Sequence, residues 1–330
     1  MTARSLAARV IERVEENAAY AAAALDAELD RHPGLDPRER ALAAELSYGV
    51  LRTQKALEQR ITAHAPRGVS DKLVRRLLLV AAYQLLLLDR IPAWAAVDEA
   101  VSEIRRARGP RVAGFANAVL RKVAEGPKLE LADAVRETAP AWLLERLTAV
   151  VGKDEAEALF GIDVPLGRSF ARLVGGRNAP AWFEAAEASP LLPAARVLPG
   201  GDPEKLEGYA EGNLVVQELG AQLVALALGV RPGERVLDAC AGRGQKTSLF
   251  VERAGPSGQV WASDQHPEKL ANLGRELARL GLPPARTAAV DWTLGPGDVP
   301  GGFDRVLVDA PCTGVGTLRR RPEIARRLAP

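Results

Sequence analysis

From Ala3 to about Val123, apolar residues return at three-and-four spacing, as in Leu73, Leu77, Leu78, Val80, Ala81 and Leu85. That rhythm puts one stripe of each segment against a core and predicts helices throughout. His32-Pro33-Gly34, Ala65-Pro66-Arg67-Gly68, Ile91-Pro92 and Gly109-Pro110 interrupt it and divide the region into several helices. Asp36 before Pro37, with Glu39 three residues on, predicts a helix start closed by a capping box. Residues 126–150 form a polar connector and a helix containing Trp142, Leu143 and Leu144. Residues 151–212 are rich in Pro, Gly and Ala, and only Ser169-Phe170-Ala171-Arg172-Leu173-Val174 reads clearly as a strand. After a helix over Gln217 to Leu228 the period changes. Strands over 235–240, 259–264, 285–290 and 303–309 alternate with helical stretches around 246–253 and 267–280. Such alternation predicts a doubly wound parallel sheet.

Composition adds bounds. A chain of 330 residues with 47% apolar content has material for two or three domains with real cores. The net charge of +2 is too small to imply nucleic acid, but its distribution is uneven. Residues 1–125 carry 20 Lys and Arg against 16 Asp and Glu, and the remainder carries 24 against 26. Basic clusters lie at Arg105-Arg106-Ala107-Arg108-Gly109-Pro110-Arg111, at Arg121-Lys122 and at Arg319-Arg320-Arg321 with Arg326-Arg327. Clusters of this kind suit phosphates, although a solvated helix face is the more common use. Two cysteines, Cys240 and Cys312, cannot build a disulfide framework and fit reduced thiols in the cytoplasm. The first helix carries Arg9, Glu12, Arg13 and Glu15, unlike a signal core. The apolar run Leu77 to Leu88 is too short to span a bilayer, so no membrane partner is expected.

Candidate chemistry gathers at the carboxyl ends of the predicted strands, where open α/β sheets bind ligands. Asp238, Asp264, Asp291 and Asp309 each close or follow one strand. A single such Asp is most often a cap or turn residue, but four on successive strands point to one site. Gly242 and Gly244 permit a tight turn before the helix from about Lys246. A dinucleotide fingerprint needs a third glycine where Thr247 stands, and a phosphate-binding P-loop needs glycine where Gln245 stands, so both are excluded.

Val236-Leu237-Asp238-Ala239-Cys240-Ala241-Gly242-Arg243-Gly244-Gln245-Lys246-Thr247 and Asp309-Ala310-Pro311-Cys312-Thr313-Gly314 together resemble the two signatures of RNA cytosine-C5 methyltransferases. The resemblance implies S-adenosylmethionine as cofactor, held by Cys240, Ala241, Gly242, Arg243, Gly244, Gln245, Lys246, Asp264, Asp291 and Asp309, with Trp292 able to cover the adenine face. Cys240 reads as a small packed residue of that loop. Arg243 stands where the family has Pro and Gln245 where it has Gly, which puts cofactor affinity in question if position 245 requires a positive φ. The implied reaction adds a cysteine thiolate to C6 of the base, transfers methyl to C5, and expels the thiolate as the C5 proton leaves. Cys312 matches the family's Pro-Cys cysteine, which assists product release or proton transfer. The main nucleophile belongs to a Thr-Cys-Ser segment expected beyond Pro330, as are the last strands of the sheet, so the chain reads as truncated and inactive alone. DNA cytosine methyltransferases use the Pro-Cys cysteine itself as nucleophile, the competing role for Cys312.

Tyr48-Gly49-Val50-Leu51-Arg52, Ala82-Tyr83-Gln84-Leu85-Leu86-Leu87-Leu88-Asp89-Arg90-Ile91-Pro92 and Gly114-Phe115-Ala116-Asn117-Ala118-Val119-Leu120-Arg121-Lys122 are similar, in order, to NusB-type RNA-binding domains. The combination implies an all-α NusB-like domain over 1–125, a connector and small RNA-binding insert over 126–215, and a Rossmann-like methyltransferase domain over 216–330. It implies 16S rRNA as partner, contacted through Arg105, Arg106, Arg108, Arg111, Arg121 and Lys122, with no metal and a monomeric state. The rival class is a non-catalytic RNA-binding protein working through the helices of 1–125.

Overall fold

The computed structural model describes residues 2–162 and 168–330; Met1 and residues 163–167, which fall inside the expected connector and insert, lie outside the described residues. The chain forms two compact units, one of Met1–Gly167 with Thr313–Pro330, the other of Arg168–Cys312. These boundaries differ from the sequence-based divisions at 125 and 215.

The first unit is helical: α1 (Ala3–Glu16), α2 (Ala21–Asp30), α3 (Pro37–Thr62), α4 (Lys72–Leu87), α5 (Ala93–Arg108), α6 (Pro110–Glu125), α7 (Leu131–Thr138), α8 (Ala141–Val151) and α9 (Lys153–Phe160). Leu6, Ile11, Leu46, Leu51, Leu57, Leu78, Leu79, Ile104 and Leu120 are fully buried and build one core from α1 and α3–α6. Gly49 is required on α3: a Cβ there would lie 2.1 Å from Tyr83 Cζ of α4. Asp36 caps α3 by accepting the Arg38 and Glu39 amides at 2.8 and 3.0 Å. The predicted capping box is only half formed. Glu39 turns its carboxylate to the Ala3 amide at 2.8 Å, an open donor in the first turn of α1, instead of reaching back to Asp36. Buried Arg76 of α4 is matched by Glu12 at 2.6 Å and Glu16 at 2.9 Å on α1. A second core joins Val135, Leu143, Phe160 and Ile162 to Leu318, Ile324 and Ala325 of the returning segment.

The second unit contains β1 (Phe170–Leu173), α10 (Ala181–Ala185), β2 (Ala195–Val197), β3 (Leu214–Val216), α11 (Leu219–Ala227), β4 (Arg235–Asp238), α12 (Gln245–Ala254), β5 (Gln259–Asp264), α13 (Pro267–Arg279), β6 (Arg286–Ala289) and β7 (Arg305–Leu307). An antiparallel sheet ordered β2-β1-β3 precedes a parallel sheet ordered β6-β5-β4-β7. The sequence pattern showed β1 but not β2 and β3, which have only three residues each. Arg172 of β1 is buried and donates to Ser248 Oγ at 2.8 Å and Glu252 Oε2 at 3.0 Å, fastening the small sheet to α12. Val236, Phe250, Ala262, Leu273 and Leu277 fill the layer between the parallel sheet and helices α12 and α13. Among the described residues β7 pairs on one side only, with β4, and Val306 and Val308 are exposed there.

Candidate active site

β4, β5, β6 and β7 run parallel, so their carboxyl ends share one edge of the sheet. β4 delivers Asp238 to that edge almost wholly buried, and burial pushes its pKa up to about 6, against the opposing pull of Thr247 and Lys246. Thr247 Oγ1 donates to Asp238 Oδ2 at 2.8 Å, while Asp238 Oδ1 is buried without a donor. The turn to α12 uses Gly242 at φ 56° and Gly244 at φ 86°. Gly244 also packs against α13, where a Cβ would meet Leu273 Cγ at 2.5 Å; around Gly242 the space is open. Gln245 is the first residue of α12 and does not have a positive φ, so the backbone concern about this position falls away. Its amide donates to the Val216 carbonyl at 3.0 Å. Arg243 is exposed and Ala241 half-buried.

Asp264 ends β5 and locks the glycine turn by accepting the Gly242 amide at 3.1 Å. Its other oxygen accepts the His266 amide at 2.9 Å and Lys269 Nζ at 3.2 Å. Asp291 follows β6 and turns Oδ1 onto its own loop, accepting the Thr293 amide at 2.9 Å and hydroxyl at 2.6 Å, which lowers its pKa. Trp292 reaches across the strand ends: its indole N–H donates to the Ala239 carbonyl at 2.7 Å and approaches Ser263 Oγ at 3.2 Å. Asp309, just past β7, pairs with Lys246 of α12 at 2.5 Å. Cys240 is half-buried amid this group; burial first, then Asp264, Asp238 and Asp309, raise its pKa. Cys312 is exposed, three residues past Asp309, and neither cysteine is in a disulfide.

The structure therefore brings Asp238, Cys240, Gly242, Lys246, Asp264 and Asp309 together, with the Asp291 loop tied in through Trp292. Sequence reasoning missed Thr247 as the donor to Asp238 and Lys269 as the cation on Asp264. Lys269 had a signal, since it sits in the first turn of the helix that follows β5. Among the described residues no group of three or more His, Cys, Asp and Glu is placed to hold a metal, and no helix is long and apolar enough to cross a membrane.

In the helical unit, the six basic residues of α5 and α6 are exposed. Arg106 pairs with Glu103 at 2.6 Å, Arg108 with Asp71 at 2.5 Å and Lys122 with Glu125 at 2.8 Å. Arg105, Arg111 and Arg121 form no side-chain ion pair among the described residues. Arg105 and Arg121 line a groove of about 840 Å³ with Trp94 and Asn117.

A parallel sheet ordered β6-β5-β4-β7, with a glycine turn and carboxylates at its strand ends, defines an α/β methyltransferase domain, here behind a NusB-like helical region. The NusB family matches residues 1–125, and the 16S rRNA methyltransferase RsmB/F family matches residues 225–330. The chain is 33% identical to the probable ribosomal RNA small subunit methyltransferase B of Synechocystis sp., over all of this chain and 78% of that protein. It is 34% identical to ribosomal RNA small subunit methyltransferase B of Xanthomonas campestris pv. campestris, over 98% of this chain and 76% of the relative. The crystal structure of PH0851 shares the fold, with a TM-score of 0.78 at 22% identity over all of this chain and 79% of its own. The chain belongs to the ribosomal RNA small subunit methyltransferase B family.

Proposed function

We propose that the protein serves S-adenosylmethionine-dependent methylation of cytosine C5 in 16S rRNA through a transient cysteine adduct at C6. The observation that carries the reading is the convergence of Asp238, Asp264, Lys246 and Asp309 around the Gly242–Gly244 turn. The residues fit the cofactor: Asp238 Oδ1 is a buried acceptor without a donor, suited to the methionine ammonium, and the space at Gly242 is open. Asp264 would hold the ribose hydroxyls, and Asp291 with Trp292 would serve the adenine. Cys240, Ala241, Arg243 and Gln245 complete the loop. Bound S-adenosylmethionine supplies an electrophilic methyl group.

Cytosine C5 needs activation, which thiolate addition to C6 provides; departure of the C5 proton then expels the thiolate. Cys312 takes the proton-transfer or release role, and the attacking thiolate calls for a cysteine in a Thr-Cys-Ser setting, which residues 1–330 do not contain. The base has to be unstacked to reach the site. The functional division follows residues 1–125 for RNA binding, 126–215 as connector and small insert, and 216–330 for methyl transfer. Arg105, Arg106, Arg108, Arg111, Arg121 and Lys122 hold phosphates.

Tritiated S-adenosylmethionine and unmodified small-subunit rRNA test the reading. Residues 1–330 are expected to bind the cofactor without turnover, and turnover at C5 to appear with a polypeptide that also carries Thr-Cys-Ser. Turnover by residues 1–330 that Cys312→Ala abolishes would transfer the nucleophile role to Cys312. Methylation at another atom of the base would overturn the adduct chemistry.

A further inference from the structure

The Tyr48-to-Arg52 stretch of α3 takes no part in the proposed RNA contacts, yet it places polar groups inside the helical unit. Arg52 Nη2 donates to the Arg319 carbonyl at 2.8 Å. Two residues further along α3, Gln54 accepts from Arg326, whose other amino group lies 3.7 Å from Glu15. Glu323 is 1% exposed; its Oε1 accepts the Ala21 amide at 3.1 Å, and its Oε2 is buried without a donor. Ala21 opens α2, which has no side-chain cap of its own, so Glu323 supplies the anion that this helix start lacks. The guanidinium groups of Arg321 and Arg327 lie 5.3 and 4.7 Å from the centre of the Tyr20 ring. Leu318, Ile324 and Ala325 fill the apolar cluster of α7–α9.

A solvated tail has no use for a buried carboxylate or for bonds to three separate helices. The segment starts directly after Cys312. Six peptide steps, at most roughly 20 Å of extended chain, separate that thiol from buried Leu318, and the turn Val315–Thr317 shortens the reach. We propose that Arg52 and Glu323 are positioning residues: they clamp residues 318–327 onto α2 and α3 and so fix the chain that directly follows Cys312. The inference rests on Cys312 taking part in the proposed reaction.

The test needs no turnover. In the 330-residue chain, backbone hydrogen exchange over 313–328 and alkylation of Cys312 by iodoacetamide are followed by peptide mass spectrometry, with Cys240 as internal reference. For Arg52→Ala and Glu323→Ala, exchange over 313–328 is expected to speed up about tenfold. Cys312 alkylation should shift at least about threefold with Cys240 unchanged, and Arg52→Lys should restore both. Arg327→Ala loosens the same segment from its exposed side if the buried variants fail to fold. Faster exchange with an unaltered Cys312 rate would reduce the contact to simple stability and overturn the proposal. Unaltered exchange would overturn the clamp itself. Absence of methylation, by contrast, bears on the proposed function and leaves these two rates readable.

Discussion

Asp238 is the residue on which cofactor chemistry and stability meet. Folded, it keeps its proton to about pH 6, against an ordinary value of 3.8. Between those values the folded state binds more protons than the unfolded state, so this group's contribution falls as pH rises from about 4 to about 6 and is flat above. Asp238→Asn is expected to remove that slope, read as the difference in urea midpoint between variant and wild type across this range. An ammonium set against Asp238 favours the ionised carboxylate, so cofactor affinity should strengthen as pH rises through about 6. Calorimetry showing affinity independent of pH there would take Asp238 out of the methionine subsite. The two turn glycines make a sharper contrast. Gly244→Ala combines an unfavourable φ with a clash against Leu273 and should cost more than about 1–3 kcal/mol of local strain alone. Gly242→Ala carries only the conformational cost, about 1–2 kcal/mol, so equal denaturant midpoints for the two would contradict this packing.

Among elements, α5 and α6 hold the charge that the RNA reading needs. Arg105, Arg111 and Arg121 lack ion pairs among the described residues, whereas Arg106, Arg108 and Lys122 would have to give up carboxylate partners first. Replacing the three unpaired arginines by Ala should lower the salt dependence of rRNA binding by about 2 in the log–log slope, at about 0.7 per phosphate contact. Anisotropy titrations of the whole chain from low to high salt measure this, and an unchanged slope would remove these residues from the interface. Much at this scale was readable in advance. The helices of 3–123 and the four parallel strands follow from local periodicity, and Asp36 capped its helix where the residue type said it should. Glu39 shows the limit, because its competing donor lies on a helix 36 positions earlier. β2 and β3 were invisible for a related reason: three residues carry no period, and only pairing with β1 makes them strands.

For the whole molecule, the order of residues along the chain differs from the order of packing. Thr313–Pro330 follows the parallel sheet in sequence but completes the core of the helical unit. Within the second unit, β7 is paired on one side only among the described residues, and Val306 in it and Val308 just after it are exposed. A strand edge of that kind templates association. Val308→Lys should reduce self-association of the chain, measured by light scattering against concentration; equal scattering would mean that this edge is not the contact.

Alternating hydrophobicity, glycines before a helix and an Asp at each strand end are local properties, so the sequence by itself determined the parallel sheet, the location of the cofactor turn and the likeness to two families. Which groups satisfy one another is a matter of distance in space. Tertiary structure alone decided that the Gly242 amide turns to Asp264, that Glu39 turns to the Ala3 amide, that Arg172 reaches Ser248 and Glu252, and that Glu323 caps α2. Each of those outcomes joins groups far apart in sequence that compete for one donor or acceptor, and no pattern along the chain records which of them meet.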